Sequence, residues 1–317
     1  MQIDVFNGDA DGLCSLLQLR LAKPCASKLI TSFKRDITLL TRVHANRSDN
    51  LTVLDISLQK NHHDLVRLLD QGVNIFYIDH HLAGTIPQHA QLKTLINTQA
   101  NTCTSLLVNH YLNGDHYLWA IVGGFGDNMP IEVIQAVNKS RLDNTQLDQL
   151  KTLGICLNYN GYGTCIEDLH FAPDALYREL EAYQSPFDFM SNNLTIYQQL
   201  VQGYEDDMEQ AAILEASYSN EFVAIYQLPN TLWARRVSGV FANDLANKYP
   251  NRAHAIISHN KQQGYQISVR APLTNKTGAG ELCALFSTGG GRKSAAGINH
   301  LTDDELPRFK QLFEKQY

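Results

Sequence analysis

The sequence predicts an α/β protein: a parallel-sheet domain joined by a long helical segment to a smaller α+β domain. Three observations carry this. Short apolar runs alternate with helical periodicity over residues 3–78. The pattern is mostly helical over residues 105–180 and again over 187–215, and strand-like runs return from Glu221. A chain of 317 residues is also long for one core and comfortable for two.

Ile3-Asp4-Val5-Phe6 reads as a first strand. Residues 7–12 form a Gly/Asp-rich turn, and Leu13, Leu16, Leu17, Leu19 and Leu21 then follow at helical spacing. Leu51-Thr52-Val53-Leu54 is a second strand ending at Asp55, and residues 61–69 are amphipathic. Val73 to Ile78 is a third strand ending at Asp79. Alternation of this kind implies parallel pairing with crossover helices, in which ligands bind at the carboxyl ends of the strands.

Residues 187–215 read as one long helix with Gly203 as a weak point and Tyr204-Glu205-Asp206-Asp207 as a solvated face. The expected division is a first domain over 1–190, a helical linker over 191–220 and a second domain over 221–317. In the second domain, residues 222–226, 253–258 and 265–269 read as strands, with a hairpin turn at Gln262-Gln263-Gly264. Gly289-Gly290-Gly291 opens a loop reaching Ala295-Ala296-Gly297. A final helix covers 303–314, with Asp303 and Asp304 suited to the positive end of its dipole.

Hydrophobic residues make up 44% of the chain and charged residues 18%, the balance of an ordinary globular protein. A net charge of −6 argues against binding long DNA by bulk charge but leaves room for a local basic pocket. Cys14, Cys25, Cys103, Cys156, Cys165 and Cys283 form no Cys-x-x-Cys pair and read as buried free thiols of a reducing compartment. No basic segment precedes an apolar stretch at the start, and no apolar run approaches a membrane span; the cytoplasm is the expected location.

The chemistry lies in acidic residues at strand ends. Asp9 and Asp11 share a tight turn, Asp55 ends the second strand, Asp79-His80-His81 ends the third, and Asp127 sits in a Gly-rich turn after an apolar helix. Each has an ordinary reading by itself: an Asx turn and helix cap, a second cap, core histidines, a turn. Together they place carboxylates and imidazoles at the functional edge of one sheet, which a metal ion or charged ligand would compensate. Oxygen ligands with one imidazole suit Mn²⁺ or Mg²⁺, with Co²⁺ a further candidate.

Asp9-Ala10-Asp11-Gly12, Asp55, Asp79-His80-His81 and Asp127 match in order the four motifs of the DHH phosphoesterase superfamily, and the chain resembles its members over nearly its whole length. Ser268-Val269-Arg270, Gly289-Gly290-Gly291-Arg292 and Ala295-Ala296-Gly297 resemble the associated DHHA1 substrate-binding domain. The resemblance implies two divalent ions, with Mn²⁺ foremost. Asp9 and Asp55 would hold one, beside Asn7 in a position where the family commonly has His. Asp11, Asp55, His80 and Asp127 would hold the other, with Asp55 bridging. His81 would touch the scissile phosphate and Asp79 would orient the histidines. Gly289, Gly290 and Gly291 would cradle a phosphate or nucleotide end, and Arg270 and Arg292 would contact the substrate. Arg236 is a further substrate candidate or half of a structural ion pair. Lys34-Arg35 is a weaker basic candidate.

The expected function is a metal-dependent phosphodiesterase cutting short oligonucleotides or dinucleotides in a cleft between the domains, by a metal-activated hydroxide. A hydrolase of small phosphates (a pyrophosphatase or nucleotide phosphatase) is an alternative. Another is a nucleotide-binding protein whose catalysis Asn7 has weakened. A homodimer is compatible with either.

Overall fold

A computed structural model describes residues 1–137, 142–260 and 263–317. The chain divides into two compact units, Met1–Gly203 and Tyr204–Tyr317.

The first unit is built on a parallel sheet. Its strands are β1 (Gln2–Phe6), β2 (Lys28–Ile30), β3 (Asn50–Leu54), β4 (Asn74–Asp79) and β5 (Leu92–Ile96), in the order β2-β1-β3-β4-β5. The helices are α1 (Ala10–Ala22), α2 (Leu58–Asp70), α3 (Thr104–Tyr111), α4 (Tyr117–Gly126), α5 (Ile131–Val137), α6 (Asn144–Asn160), α7 (Pro173–Leu180), α8 (Pro186–Asn192) and α9 (Leu194–Ala212), the last ending in the second unit. The apolar stripe of α2, Leu65 and Leu68, is buried with Val5, Val53, Ile75 and Tyr77 of the sheet. Helix α1 packs on α3 and α4, and α4 packs on α6. A Cβ on Gly126 would stand 2.3 Å from the Ala10 Cβ, so a side chain there would push away the end of α4 that carries Asp127.

The expected single helix over residues 187–215 is two. Asn193, at φ −121° and ψ 56°, leaves the helical region and separates α8 from α9. Asp207 is buried rather than solvated. Cys25 is exposed, whereas Cys14, Cys103, Cys156 and Cys283 are buried thiols as expected.

The second unit holds the sheet β10-β11-β9-β8-β7-β6. In chain order its elements are β6 (Tyr218–Ser219), β7 (Val223–Gln227), α10 (Leu232–Lys248), β8 (Ala253–His259), β9 (Tyr265–Arg270), α11 (Ala279–Cys283), β10 (Gly289–Gly291), β11 (Ala295–Leu301) and α12 (Leu306–Gln316). Strands β7 and β8 are parallel and the other pairs antiparallel. One core gathers Ile225, Ile257, Ile267, Val269, Ile298, Phe309 and Phe313, and a second gathers Tyr226, Ile256, Val237 and Phe241. Alternate residues of β7 and β8 thus serve opposite faces, as strand periodicity requires. Gln263 and Gly264 have positive φ between β8 and β9; Gln262 of the expected turn lies outside the described residues. The triple glycine is the edge strand β10 rather than an open loop, paired through Gly289 with Ile298, Gly290 with Gly297 and Gly291 with Ala296.

Candidate metal centre

Backbone bonds align the strand ends of the first unit. The Asn7 N–H donates to the Leu54 carbonyl at 3.2 Å, Asp55 to Ile78 at 3.1 Å and Asn97 to Asp79 at 3.2 Å. These bonds bring Asn7, Asp55 and Asp79 to one edge of the sheet. Asp55 has a φ of 59°, which a short carboxylate side chain tolerates better than most residues.

The carboxylates are held from behind by helix starts. Asp9 caps α1, its Oδ1 accepting the Gly12 N–H at 3.1 Å. Asp11 accepts the N–H groups of Thr104 (Oδ2) and Ser105 (Oδ1) at 2.7 Å each, from the first turn of α3, whose orphan amides favour an anion. Thr104 Oγ1 donates to Asp55 Oδ1 at 3.0 Å. Asp127 stands at the C-terminal cap of α4.

His80 gathers them. Its Nε2 lies 3.4 Å from Asp55 Oδ1 and 3.9 Å from both Asp11 Oδ2 and Asp127 Oδ2. Asp79 is fully buried; its Oδ1 accepts the His80 N–H at 2.8 Å and lies 2.7 Å from His81 Nδ1. Burial disfavours a charged His81, but the hydrogen bond and charge of Asp79 outweigh it, and the imidazole pKa is raised.

The electrostatics are those of a site short of positive charge. Burial, then the neighbouring Asp11, Asp9, Asp127 and Asp79 charges, pushes the Asp55 carboxyl well above its ordinary range. Burial and Asp11 push Asp127 up to about 6, against the opposing charges of Lys34 and His80. Like charges desolvated together are unfavourable until a cation arrives. Ligand atoms of Asp55, His80 and His81 lie within 4.8 Å of one another, and the His80 nitrogen also comes within 3.9 Å of Asp11 and Asp127 oxygens, donor types that suit a hard or borderline divalent ion.

The first-ion position does not fit in the same way. Asp9 Oδ2 is 2.5 Å from Lys34 Nζ, which also donates to Asn158 Oδ1 at 2.7 Å. Burial would push the Asp9 carboxyl up, but Lys34 overrides it and holds the pKa below the ordinary value. Asn7 is buried, and among the described residues its Oδ1 finds no hydrogen-bond partner.

The other expected residues lie in the second unit. Arg270 ends β9 and donates to Asn243 Oδ1 at 2.6 Å and to the Val269 and Gly239 carbonyls at 3.0 and 3.2 Å. The Gly289 N–H donates to the Phe286 carbonyl at 2.9 Å, which removes that amide from the expected phosphate cradle. Arg292 is exposed. Arg236 is buried against Asp207, with Nε–Oδ2 at 2.6 Å and Nη2–Oδ1 at 2.9 Å, and takes the structural alternative rather than the substrate one.

Sequence reasoning did not single out Lys34 as a partner of Asp9, nor Thr104, Ser105 and Cys103. Cys103 Sγ groups with carboxylate oxygens of Asp11 and Asp127, all within 4.8 Å of one another. The Thr102-Cys103-Thr104-Ser105 run ahead of Leu106-Leu107-Val108 is the available signal, a polar helix start before an apolar stretch.

No protein-family model matches the chain, and no curated protein matches it. Solved structures do. An exonuclease RecJ bound to manganese superposes with a TM-score of 0.69 at 17% identity, over 99% of this chain and 89% of that one. RecJ of Thermus thermophilus in complex with Mn²⁺ gives 0.69 at 18% identity, over 99% of this chain and 51% of that one. A pGpG-specific phosphodiesterase of Vibrio cholerae gives 0.59 at 15% identity, over 99% and 98%. The chain therefore has a RecJ-like fold.

Proposed function

We propose that the protein is a divalent-metal-dependent phosphodiesterase acting on short oligonucleotides or dinucleotides. The convergence of Asp11, Asp55 and Asp127 on His80 Nε2 carries this reading. Mn²⁺ is the first metal to test, since RecJ structures hold Mn²⁺ and also Mg²⁺. A divalent ion on these four residues supplies the charge that makes a water nucleophilic near neutral pH and offsets the phosphate.

The residues around it have separate tasks. Thr104 fixes the Asp55 carboxylate and the start of α3 fixes Asp11, so both oxygens are oriented before any ligand arrives. His81, half-exposed and with a raised pKa, donates to a phosphate oxygen, while Asp79 holds its ring. In the second unit, Gly290, Gly291, Arg270 and the exposed Arg292 are the residues proposed to bind a phosphate or nucleotide end. The similarity to a pGpG-specific phosphodiesterase over nearly the full length of both chains favours a dinucleotide-sized substrate, as does the net charge of −6.

The test is a Mn²⁺-supplemented hydrolysis screen across a linear dinucleotide, a cyclic dinucleotide, short RNA, 3′-phosphoadenosine 5′-phosphate and pyrophosphate. Cleavage of the linear dinucleotide or short RNA is expected. Turnover of pyrophosphate alone would move the protein to the small-phosphate hydrolases, and binding without turnover would make it a nucleotide-binding protein.

A further inference from the structure

The resemblance to the DHH superfamily implies two ions, yet this chain has placed a fixed cation against one of the carboxylates that would bind them. Both oxygens of Asp9 are engaged, Oδ1 by the Gly12 amide and Oδ2 by the Lys34 ammonium at 2.5 Å. Lys34 is held in turn. Its Nζ donates to Asn158 Oδ1 at 2.7 Å, its backbone N–H donates to the Gly161 carbonyl at 2.8 Å, and its ammonium lies 5.7 Å from the Tyr162 ring centroid. These anchors come from α6 and the turn after it, so the lysine is set by packing and not by Asp9 alone.

Asn7 weakens the first-ion position through ligand strength, not through its unpartnered oxygen. It is 5% exposed, and its Oδ1 has no partner among the described residues. It brings a neutral amide to the position where the resemblance implies an imidazole ligand. An ion on Asp9 would stand within ångströms of the Lys34 ammonium, and like charges at that distance repel strongly away from bulk water. Asp11, Asp55 and Asp127 differ: no Lys or Arg ammonium or guanidinium is bonded to their carboxylates among the described residues, although the Lys34 charge also reaches Asp127.

We propose that Lys34 takes the place of the first ion, so that the chain binds a single divalent cation, on Asp11, Asp55, His80 and Asp127. This rests on the metal-dependent reading above and refines it. Asp9 then acts as the counter-ion of Lys34 and as the cap of α1, not as a metal ligand.

The experiment counts ions. The full chain is equilibrated with excess Mn²⁺, dialysed against a fixed free concentration, and analysed by elemental analysis and electron paramagnetic resonance. One Mn²⁺ per chain is expected, with the spectrum of an isolated ion. Two per chain with exchange-coupled spins would overturn the inference and leave the metal-dependent reading standing; no ion at all would overturn both. Lys34→Met combined with Asn7→His is expected to raise the count to two. A folded double variant that still holds one ion would overturn the role given to Lys34. Asp9→Asn is expected to keep one ion, and loss of that ion would return Asp9 to the ligands. Should the double variant not fold, the count in the unaltered chain still decides.

Discussion

His81 Nδ1 and Asp79 Oδ1 lie 2.7 Å apart, and the same carboxylate oxygen accepts the His80 amide at 2.8 Å. One buried oxygen thus sets the ring of the histidine proposed to contact phosphate and the backbone of the one proposed to hold metal. Removing the charge while keeping the shape, Asp79→Asn, is expected to lower kcat/KM about 10- to 100-fold, the usual cost of losing an outer partner of a metal site. Steady-state kinetics on the dinucleotide would show it. An unchanged kcat/KM would mean that His81 is oriented by something else.

Asp55 is expected to be the least replaceable ligand. Its carboxylate receives Thr104 Oγ1 and approaches His80, and its φ is 59°. Asp55→Asn keeps a side chain suited to that backbone but removes the charge, so metal affinity should collapse with little change in Tm. Asp55→Ala should lose the metal and also about 1 kcal/mol of stability from the left-handed backbone. Calorimetric Mn²⁺ titration and thermal melts of the two variants separate these effects.

Arg236 and Asp207 form a two-point ion pair with both side chains buried. Removing one partner leaves the other charged and desolvated, which costs about 3–5 kcal/mol. Arg236→Ala should therefore destabilise the second unit by that order in urea denaturation, while KM for the substrate stays within a small factor. A raised KM with unchanged stability would put Arg236 back among substrate ligands.

His254 sits fully buried in β8, where burial and then the Arg252 charge push its pKa down to about 4. The unfolded chain takes up this proton near pH 6.5 and the folded chain only near 4. Between those values the unfolded state holds more protons, so stability falls as pH falls, by about 2–3 kcal/mol at most. Denaturation curves from pH 7 to 4 should show the decline, and His254→Gln should flatten it.

The sequence makes the acidic cluster legible for a physical reason. Asp55 and Asp79 end apolar runs, and a carboxylate there is conspicuous against buried neighbours. The same logic marks β1, β3 and β4, whose residues are nearly all buried. It fails for β2, which is three residues long, and for β5, whose half-buried Leu92-Lys93-Thr94-Leu95-Ile96 lacks a clean alternation. It fails most for Lys34. That residue lies in an irregular segment with no periodicity to place it, and its partner Asn158 is 124 residues away in the chain. The pairing of Arg236 with Asp207 is hidden likewise, since an acidic run on a helix looks solvated until its opposite helix is known.

The strand order β2-β1-β3-β4-β5 has a kinetic consequence. The proposed ligands lie in α1, after β3, after β4 and at the end of α4, and meet only when all four elements are in place. Parallel pairing of strands so far apart spends loop entropy before contacts return it, which makes such sheets slow to form. A divalent ion bound as proposed would have nothing to grip during those early steps and would capture only the finished sheet. Mn²⁺ should accordingly act as a latch, lowering the unfolding rate of the first unit and leaving its refolding rate unchanged.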